Sequence, residues 1–452
     1  MEGMRFCTFL MLALLLSAPV GAQPLGARLD DLMARYKKED IGVRVIELES
    51  GADVYSHQAQ KLLIPASVMK AVTAAVALHE LGPEYYFKTE VWVEGLKGER
   101  TSRLSLVGGG DPSLTIESLW LLLRGIRKHG IRQVDELVFD TSRFEGSRDR
   151  LGQRAYESAA SALAFNFNSI GFEVCPSEKG KAANIRTDPI EAGAVLTGTV
   201  LTSARKDAAF SIDESGQGFA LAGSIYSGQD CVTVYRSVPS PVQYLERVLQ
   251  ALATQLDIQI GRIVEGQPSV RSELLFVHGS KPLRAVIQDM NHYSNNFIAE
   301  QIVFALGETE EGKLKRAQGL AKISSYLRGF GVPGEFVVAD GSGLDRGNRL
   351  SAELLASVVR EAARNEKYGI EFKNSFSVSR RNGTLRERRL ERGAFVRGKT
   401  GTLTGVSSLT GLVLDRSGRE YVFVVMYNGS IAKNRIVDLE NAVVEEIFSY
   451  RP

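Results

Sequence analysis

The sequence predicts a multi-domain α/β protein that carries a β-rich insertion, and three observations lead to that class. A strand, turn and strand over residues 42–56 run into a helix that is apolar on nearly every face. From 87 to 274 the chain changes to short β segments separated by Gly- and Ser-rich stretches. From Leu283 onward the apolar helices return, and the chain closes with strands and a last helix. Strands mixed with buried helices imply an α/β layer structure. At 452 residues there is room for two or three domains, and 44% hydrophobic with 24% charged is the composition of an ordinary folded protein. The formal net charge of +2 gives no bulk electrostatic case for nucleic acid or an anionic membrane surface.

The elements follow in chain order. Arg5 precedes an apolar run over 9–16, then come Ser17-Ala18-Pro19 and the small triplet Val20-Gly21-Ala22. That is the make-up of a secretory signal over 1–22, cleaved before Gln23; the alternative, a membrane anchor, has too short an apolar core to span comfortably. Export implies the periplasm or cell envelope, with membrane association at most peripheral. Residues 29–36 read as a short amphipathic helix, 42–48 as a strand, 49–52 as a turn and 53–56 as the return strand. Pro65 suits the first turn of a helix over 66–78, because its φ is preset and its missing N–H is no loss there. Strands are expected at 87–93 and 104–107, the second ending in the turn Gly108-Gly109-Gly110-Asp111-Pro112. A helix over 115–129 stops at Gly130. Short strands at 136–139, 198–201, 219–224 and 231–235 precede a helix over 242–256. Helices are expected at 295–306, 314–329 and 354–365, strands at 395–397, 407–415 and 421–427, and a helix at 436–449.

Cys7 leaves with the signal. Cys175 and Cys231 remain in a compartment that permits disulfides, and the sequence leaves a bridge and two free buried thiols both open. His57, His79, His129, His278 and His292 have no metal-ligand spacing, and no HExxH, CxxC or phosphate-loop pattern occurs. No metal and no cofactor is expected.

Three short stretches carry chemistry. Ser67-Val68-Met69-Lys70 sits in the buried helix, and a spacing of three puts both side chains on one face, about a turn apart. A lysine on so apolar a helix is costly unless it has a partner or a task. A neutral lysine beside a serine can take the hydroxyl proton and activate a weak nucleophile. A second Ser-x-x-Lys, Ser203 to Lys206, opens no apolar helix. Ser294-Asn295-Asn296 stands before another apolar helix, where Ser294 read alone is an N-cap. Lys399-Thr400-Gly401-Thr402 lies between two strands; read alone, Lys399 is an edge-strand lysine and Gly401 a turn residue. Found together in this order in an exported chain, the three point to one site.

Ser67-x-x-Lys70, Ser294-x-Asn296 and Lys399-Thr400-Gly401 resemble the active-site motifs of penicillin-binding proteins and serine β-lactamases. Two features resemble one family in particular, the D-alanyl-D-alanine carboxypeptidase/endopeptidases of the class C, low-molecular-mass penicillin-binding proteins. One is the 227-residue distance from Ser67 to Ser294. The other is the set of flanks Gly108 to Leu114, Asp340-Gly341-Ser342-Gly343-Leu344, Gly383-Thr384-Leu385 with Arg388, and Lys399 to Leu403. The resemblance spans essentially the whole mature chain. It implies a penicillin-recognising, transpeptidase-like α/β/α domain over 23–86 and 275–452. Inserted in it is a β-rich region, 87–274, of two subdomains, about 87–168 with 236–274 and about 169–235. It implies Ser67 as acylated nucleophile, Lys70 as its base, Ser294 as proton relay and Asn296 as a ligand of substrate amide or Lys70. It gives Lys399 and Thr400 to the terminal carboxylate, lets Gly401 admit the substrate backbone to the strand, and makes the N–H groups of Ser67 and Thr402 the oxyanion hole. Arg346 is a further substrate-binding candidate, which read alone is a surface ion-pair residue. Members often read the stem peptide with a Trp- and Asp-containing stretch upstream of a segment like 156–163; here 148–154 has no Trp, and Asp149 is the candidate acid. The implied partners are peptidoglycan peptides and β-lactams. The alternatives are a β-lactamase and a non-catalytic cell-wall binding protein.

Overall fold

The computed structural model describes residues 24–146, 149–216 and 218–450; the segment over 1–22 that reads as a secretory signal lies outside them. The part that carries Ser67 is built on a six-stranded sheet in the order Ser377–Val378, Val396–Leu403, Val406–Leu414, Glu420–Asn428, Asp40–Glu47, Asp53–His57. Every neighbouring pair is antiparallel. Strand Glu420–Asn428 shows why the sheet is buried on both faces. Val422, Val424 and Met426 face one layer of helices, and Tyr421, Phe423, Val425 and Tyr427 face the other. Successive strand residues point to opposite faces, so a strand covered on both reads as an unbroken apolar run. The first layer contains Met69–Leu81, Leu283–His292, Asn296–Leu306, Arg316–Arg328 and Ala352–Arg364. The second pairs Leu25–Met33 with Lys433–Phe448, clasped by the ion pair Arg28–Glu446 at 3.0 Å.

The inserted segment forms a mixed five-stranded sheet in the order Gln259–Glu265, Gln133–Asp140, Arg100–Val107, Lys88–Glu94, Glu273–Gly279. Helices Ile116–Lys128 and Pro241–Gln255 cover it. Glu273–Gly279 still pairs with Lys88–Glu94, so a boundary drawn at 274 cuts through a strand. Further out lie a three-stranded sheet, with Ser169–Cys175 between Val232–Ser237 and Asn184–Asp188, and a small sheet of Leu196–Gly198, Leu201–Ser203, Phe210–Ser215 and Gly218–Tyr226. Cys175 and Cys231, left open by the sequence, are disulfide-bonded at the ends of paired strands. Among the described residues the one grouping of possible metal ligands, Glu173 with these two cysteines, offers no thiolate. No helix among the described residues is long and apolar enough to cross a membrane.

Several expected elements shift. The first helix begins at Leu25, behind Pro24. The expected strand over 198–201 divides into two short strands that pair with different parts of Gly218–Tyr226. Strand Asn184–Asp188 was not foreseen, because it has exposed or half-exposed positions throughout and no apolar pattern to betray it. The insertion docks on Asn296–Leu306. There the buried Gln301 Nε2 donates to the carbonyls of Gly110 (3.2 Å) and Ser161 (2.9 Å), and Phe167 meets Phe297 edge-on.

Candidate active site

Ser67 lies in a 3₁₀ turn, Ala66–Val68, and the α-helix starts only at Met69. Ala66 has φ +50°, an uncommon conformation for a residue with a Cβ. The turn is held from three sides. Ser408 Oγ donates to the Pro65 carbonyl at 2.6 Å. Asn428 accepts from the Ile64 N–H at 2.8 Å and donates to its carbonyl at 3.1 Å. Gly343, with φ +78°, packs its Cα against the Ala66 carbonyl, where a Cβ would overlap that oxygen.

Lys70 is fully buried. Its Nζ lies 3.0 Å from Ser67 Oγ, 2.6 Å from Asn296 Oδ1 and 2.7 Å from the Ser342 carbonyl. Three acceptors suit an ammonium. They equally suit a neutral amine that donates to Asn296 and Ser342 and accepts from the Ser67 hydroxyl, which is the arrangement a base requires. Asn296 Nδ2 reaches the Tyr156 carbonyl at 3.4 Å, so the insertion touches the site.

Lys399 is also fully buried, and its Nζ donates to Ser294 Oγ at 2.8 Å and to the Thr400 carbonyl at 2.7 Å. Burial first, and the positive charge of Lys70 second, pull the Lys399 ammonium well below the usual lysine range. Two buried like charges titrate as a pair, and each disfavours the protonation of the other.

The strand Val396–Leu403 runs straight through Lys399, Thr400, Gly401 and Thr402. The strand expected over 395–397 thus continues to Leu403, and Gly401, which the family resemblance assigns to substrate approach, lies inside it. The contact seen here is with the protein itself: a Cβ on Gly401 would lie 2.8 Å from the Pro65 carbonyl, 3.0 Å from the Ser67 amide nitrogen and in overlap with Ser408 Oγ. Glycine here lets the strand touch the nucleophile turn. Ser294 is not the N-cap of its helix. Asn295 is, with its side chain accepting from the Ile298 N–H at 3.1 Å, while Ser294 takes φ +52° and faces Lys399. Arg346 is exposed, makes no ion pair among the described residues, and donates to the Thr404 carbonyl at 3.0 Å. Asp149 is exposed.

Ser67, Ser294, Thr400, Gly401 and Thr402 line one groove of about 530 Å³. Asp340 supports it from behind. This buried carboxylate accepts from the Ser342 hydroxyl, the amides of Gly343, Leu344 and Asp345, and Asn348 Nδ2. Burial alone would raise its pKa, but these donors outweigh it and hold the group below the usual carboxylate range. The loop so ordered presents the Ser342 carbonyl to Lys70 and the Gly341 carbonyl to Thr73 Oγ1 at 2.7 Å. Sequence reasoning gave Asp340 and Ser342 no individual role. The only signal was the compact Asp-Gly-Ser-Gly run.

Comparison with known proteins agrees with this architecture. Residues 25–447 match the model of the D-Ala-D-Ala carboxypeptidase 3 (S13) family. The chain is 30% identical to the D-alanyl-D-alanine carboxypeptidase of Actinomadura sp. (strain R39), over 93% of this chain and 85% of that protein. It is 24% identical to the D-alanyl-D-alanine carboxypeptidase DacB of Haemophilus influenzae, over 91% of each. Among solved structures, penicillin binding protein 4 from Haemophilus influenzae superposes with a TM-score of 0.80 at 23% identity, over 93% of this chain and 99% of that one. A predatory peptidoglycan endopeptidase from Bdellovibrio bacteriovorus superposes at 0.54 and 15% identity, over 90% of this chain and 92% of that one. The chain is therefore a member of the D-Ala-D-Ala carboxypeptidase 3 (S13) family, with the fold of a multi-domain penicillin-binding protein.

Proposed function

We propose that this chain is an exported serine D-Ala-D-Ala carboxypeptidase, with D,D-endopeptidase capacity, that acts on peptidoglycan stem peptides through an acyl-enzyme on Ser67. The observation that carries the reading is the Lys70 amine, buried and 3.0 Å from Ser67 Oγ, with Asn296 Oδ1 and the Ser342 carbonyl as further acceptors.

The terminal carboxylate of the peptide meets Thr400 and the Lys399 ammonium. Its charge makes it favourable for Lys399 to keep a proton while Lys70 stays neutral. Lys70 takes the Ser67 proton as Oγ attacks the carbonyl carbon of the penultimate D-Ala. The oxyanion is received by the N–H groups of Ser67 and Thr402, each such donor being worth about 2.7–4 kcal/mol in acyl transfer. The C–N bond breaks, and the departing amine receives its proton by way of Ser294, which Lys399 orients. Water then attacks the ester, the proton returns to Ser67, and the shortened peptide leaves. A β-lactam follows the first half of this path, but its leaving group stays tethered and the ester persists. The family membership and the signal-like composition of 1–22 support a periplasmic or cell-envelope location.

The test is intact-mass spectrometry of residues 23–452 with penicillin, beside Ser67→Ala, together with D-Ala release from a D-Ala-D-Ala peptide. A stable adduct absent from the variant, with D-Ala released by the wild type, is expected. Rapid turnover of penicillin would make the chain a β-lactamase. Binding to peptidoglycan without any adduct would make it a non-catalytic binding protein.

A further inference from the structure

The groove that holds Ser67 continues beyond the residues used in the mechanism. Past Thr400 to Thr402 it extends toward the first turns of helix Lys433–Phe448, where Glu387, Arg388, Lys433 and Glu440 complete its wall. The whole groove, from Ser67 and Ser294 to Lys433, has a volume of about 530 Å³, enough for a substantial ligand. The methyl group of a departing D-alanine, held at Thr400, would not extend along the groove to the Lys433 end.

Most of the charge on this wall is already satisfied. Glu440, almost wholly buried, accepts from Arg388 at 2.7 Å with one oxygen and from Ser407 Oγ at 2.8 Å with the other. Arg388 also donates to Asn441 Oδ1 at 2.6 Å and to the Val437 carbonyl at 3.2 Å. This pair forms a floor. The Glu387 side chain is 92% exposed beside Arg386 and faces solvent. Lys433 differs. It is exposed, and among the described residues it enters no ion pair and no side-chain hydrogen bond. It is also the wrong charge for its place in the helix. It opens Lys433–Phe448, where the macrodipole favours an acid, yet the first turn has no acidic residue and Ala432 supplies no side-chain cap. The helix gains nothing from a lysine here, whereas an anion in the groove does.

We infer that the groove beyond Thr402 is a subsite for the side chain of the leaving residue, and that Lys433 recognises a carboxylate carried on it. Among leaving residues with a side chain longer than that of D-alanine, an acidic one is then preferred over a basic one. This rests on the acyl-transfer reading above, since the leaving residue extends toward Lys433 only if Thr400 and Lys399 hold its terminal carboxylate.

The test uses the full mature chain and N-acylated peptides ending in D-Ala-D-Glu, D-Ala-D-Ala and D-Ala-D-Lys, with release of the last residue as readout. The wild type is expected to show kcat/KM for D-Glu roughly tenfold above that for D-Lys, the scale of one partly desolvated ion pair. Lys433→Glu should invert the order, and Lys433→Arg should keep it. Salt in the 0.5–1 M range should erase much of the preference in the wild type, a readout that needs no variant to fold. Equal rates on all three peptides, or a preference that survives both Lys433→Glu and high salt, overturn the inference. If the wild type forms no penicillin adduct and releases nothing from any peptide, the acyl-transfer reading fails first and the inference falls with it.

Discussion

Gly401→Ala is the perturbation that most directly tests how the site is assembled. The new methyl carbon would stand 2.8 Å from the Pro65 carbonyl oxygen and 3.0 Å from the Ser67 amide nitrogen, and would overlap Ser408 Oγ. Restoring an ordinary contact of about 3.4 Å requires the strand and the nucleophile turn to part by about 0.4–0.6 Å, by simple subtraction from those distances. The Ser408 hydroxyl must also turn away, giving up its 2.6 Å bond to Pro65 and leaving a buried polar group unpaired, which costs about 1–3 kcal/mol. In the proposed mechanism Ser67 and Thr402 supply the two oxyanion donors, and they lie on the two surfaces being pushed apart. A misplacement near 1 Å lowers rates about 10²-fold, and loss of one oxyanion donor about 10²–10³-fold, so half an ångström should lower acylation by roughly 10–10²-fold. The assay is the second-order rate of labelling by a fluorescent penicillin, with thermal melting alongside. The double variant Gly401→Ala with Ser408→Ala removes one clash and should recover part of the rate. Labelling by Gly401→Ala within threefold of wild type, with an unchanged melt, would refute the claim that this glycine sets the distance between strand and nucleophile.

Other outcomes follow from the same geometry. The Lys70/Lys399 pair resists a second proton, so penicillin labelling should fall as acid supplies it; in Lys399→Met the acid limb should move to higher pH, because one positive charge is gone, and a pH-independent rate over pH 5–9 would contradict this. Between its lowered pKa and 10.5, Lys399 binds fewer protons in the folded chain than in the unfolded one, so its contribution to stability rises with pH through that window. Asp340→Ala orphans five donors and releases the loop behind Lys70; a loss of about 3 kcal/mol or more, with slower labelling, is expected, and an unchanged melt would refute the role assigned to Asp340. Asp111 is buried with one oxygen unpartnered, and burial pushes its carboxyl up to about 6 from 3.8. Its contribution is therefore present below pH 4 and lost as pH rises through about 6, up to about 3 kcal/mol. Asp111→Asn should remove that component of the melting-temperature profile between pH 4 and pH 7.5, and a profile parallel to wild type would contradict it.

The sequence by itself determined the class of fold, and it pointed to the Ser67, Ser294 and Lys399 stretches that the structure brings together. Those rest on local signals: apolar periodicity in the helices, an unbroken apolar run at 421–427, and the short Ser67, Ser294 and Lys399 motifs. Tertiary structure decided what depends on distance between residues remote in the chain. Gly401 reads as a turn or as an opening for substrate until Pro65 and Ser67 are seen against it. Ser294 reads as an N-cap until Asn295 takes that place and Lys399 takes the serine hydroxyl. Cys175 and Cys231 could be paired or free until two strands bring their ends together. Asp340 looks like loop composition until the five donors that converge on it are counted. Lys433 looks like one more surface lysine until the groove from Ser67 is found to reach it. The physical reason is common to all five. Periodicity and propensity act over one or two turns of chain, whereas hydrogen bonds, close packing and charge coupling act over a few ångströms, and only the folded chain brings residue 67 within that range of 401.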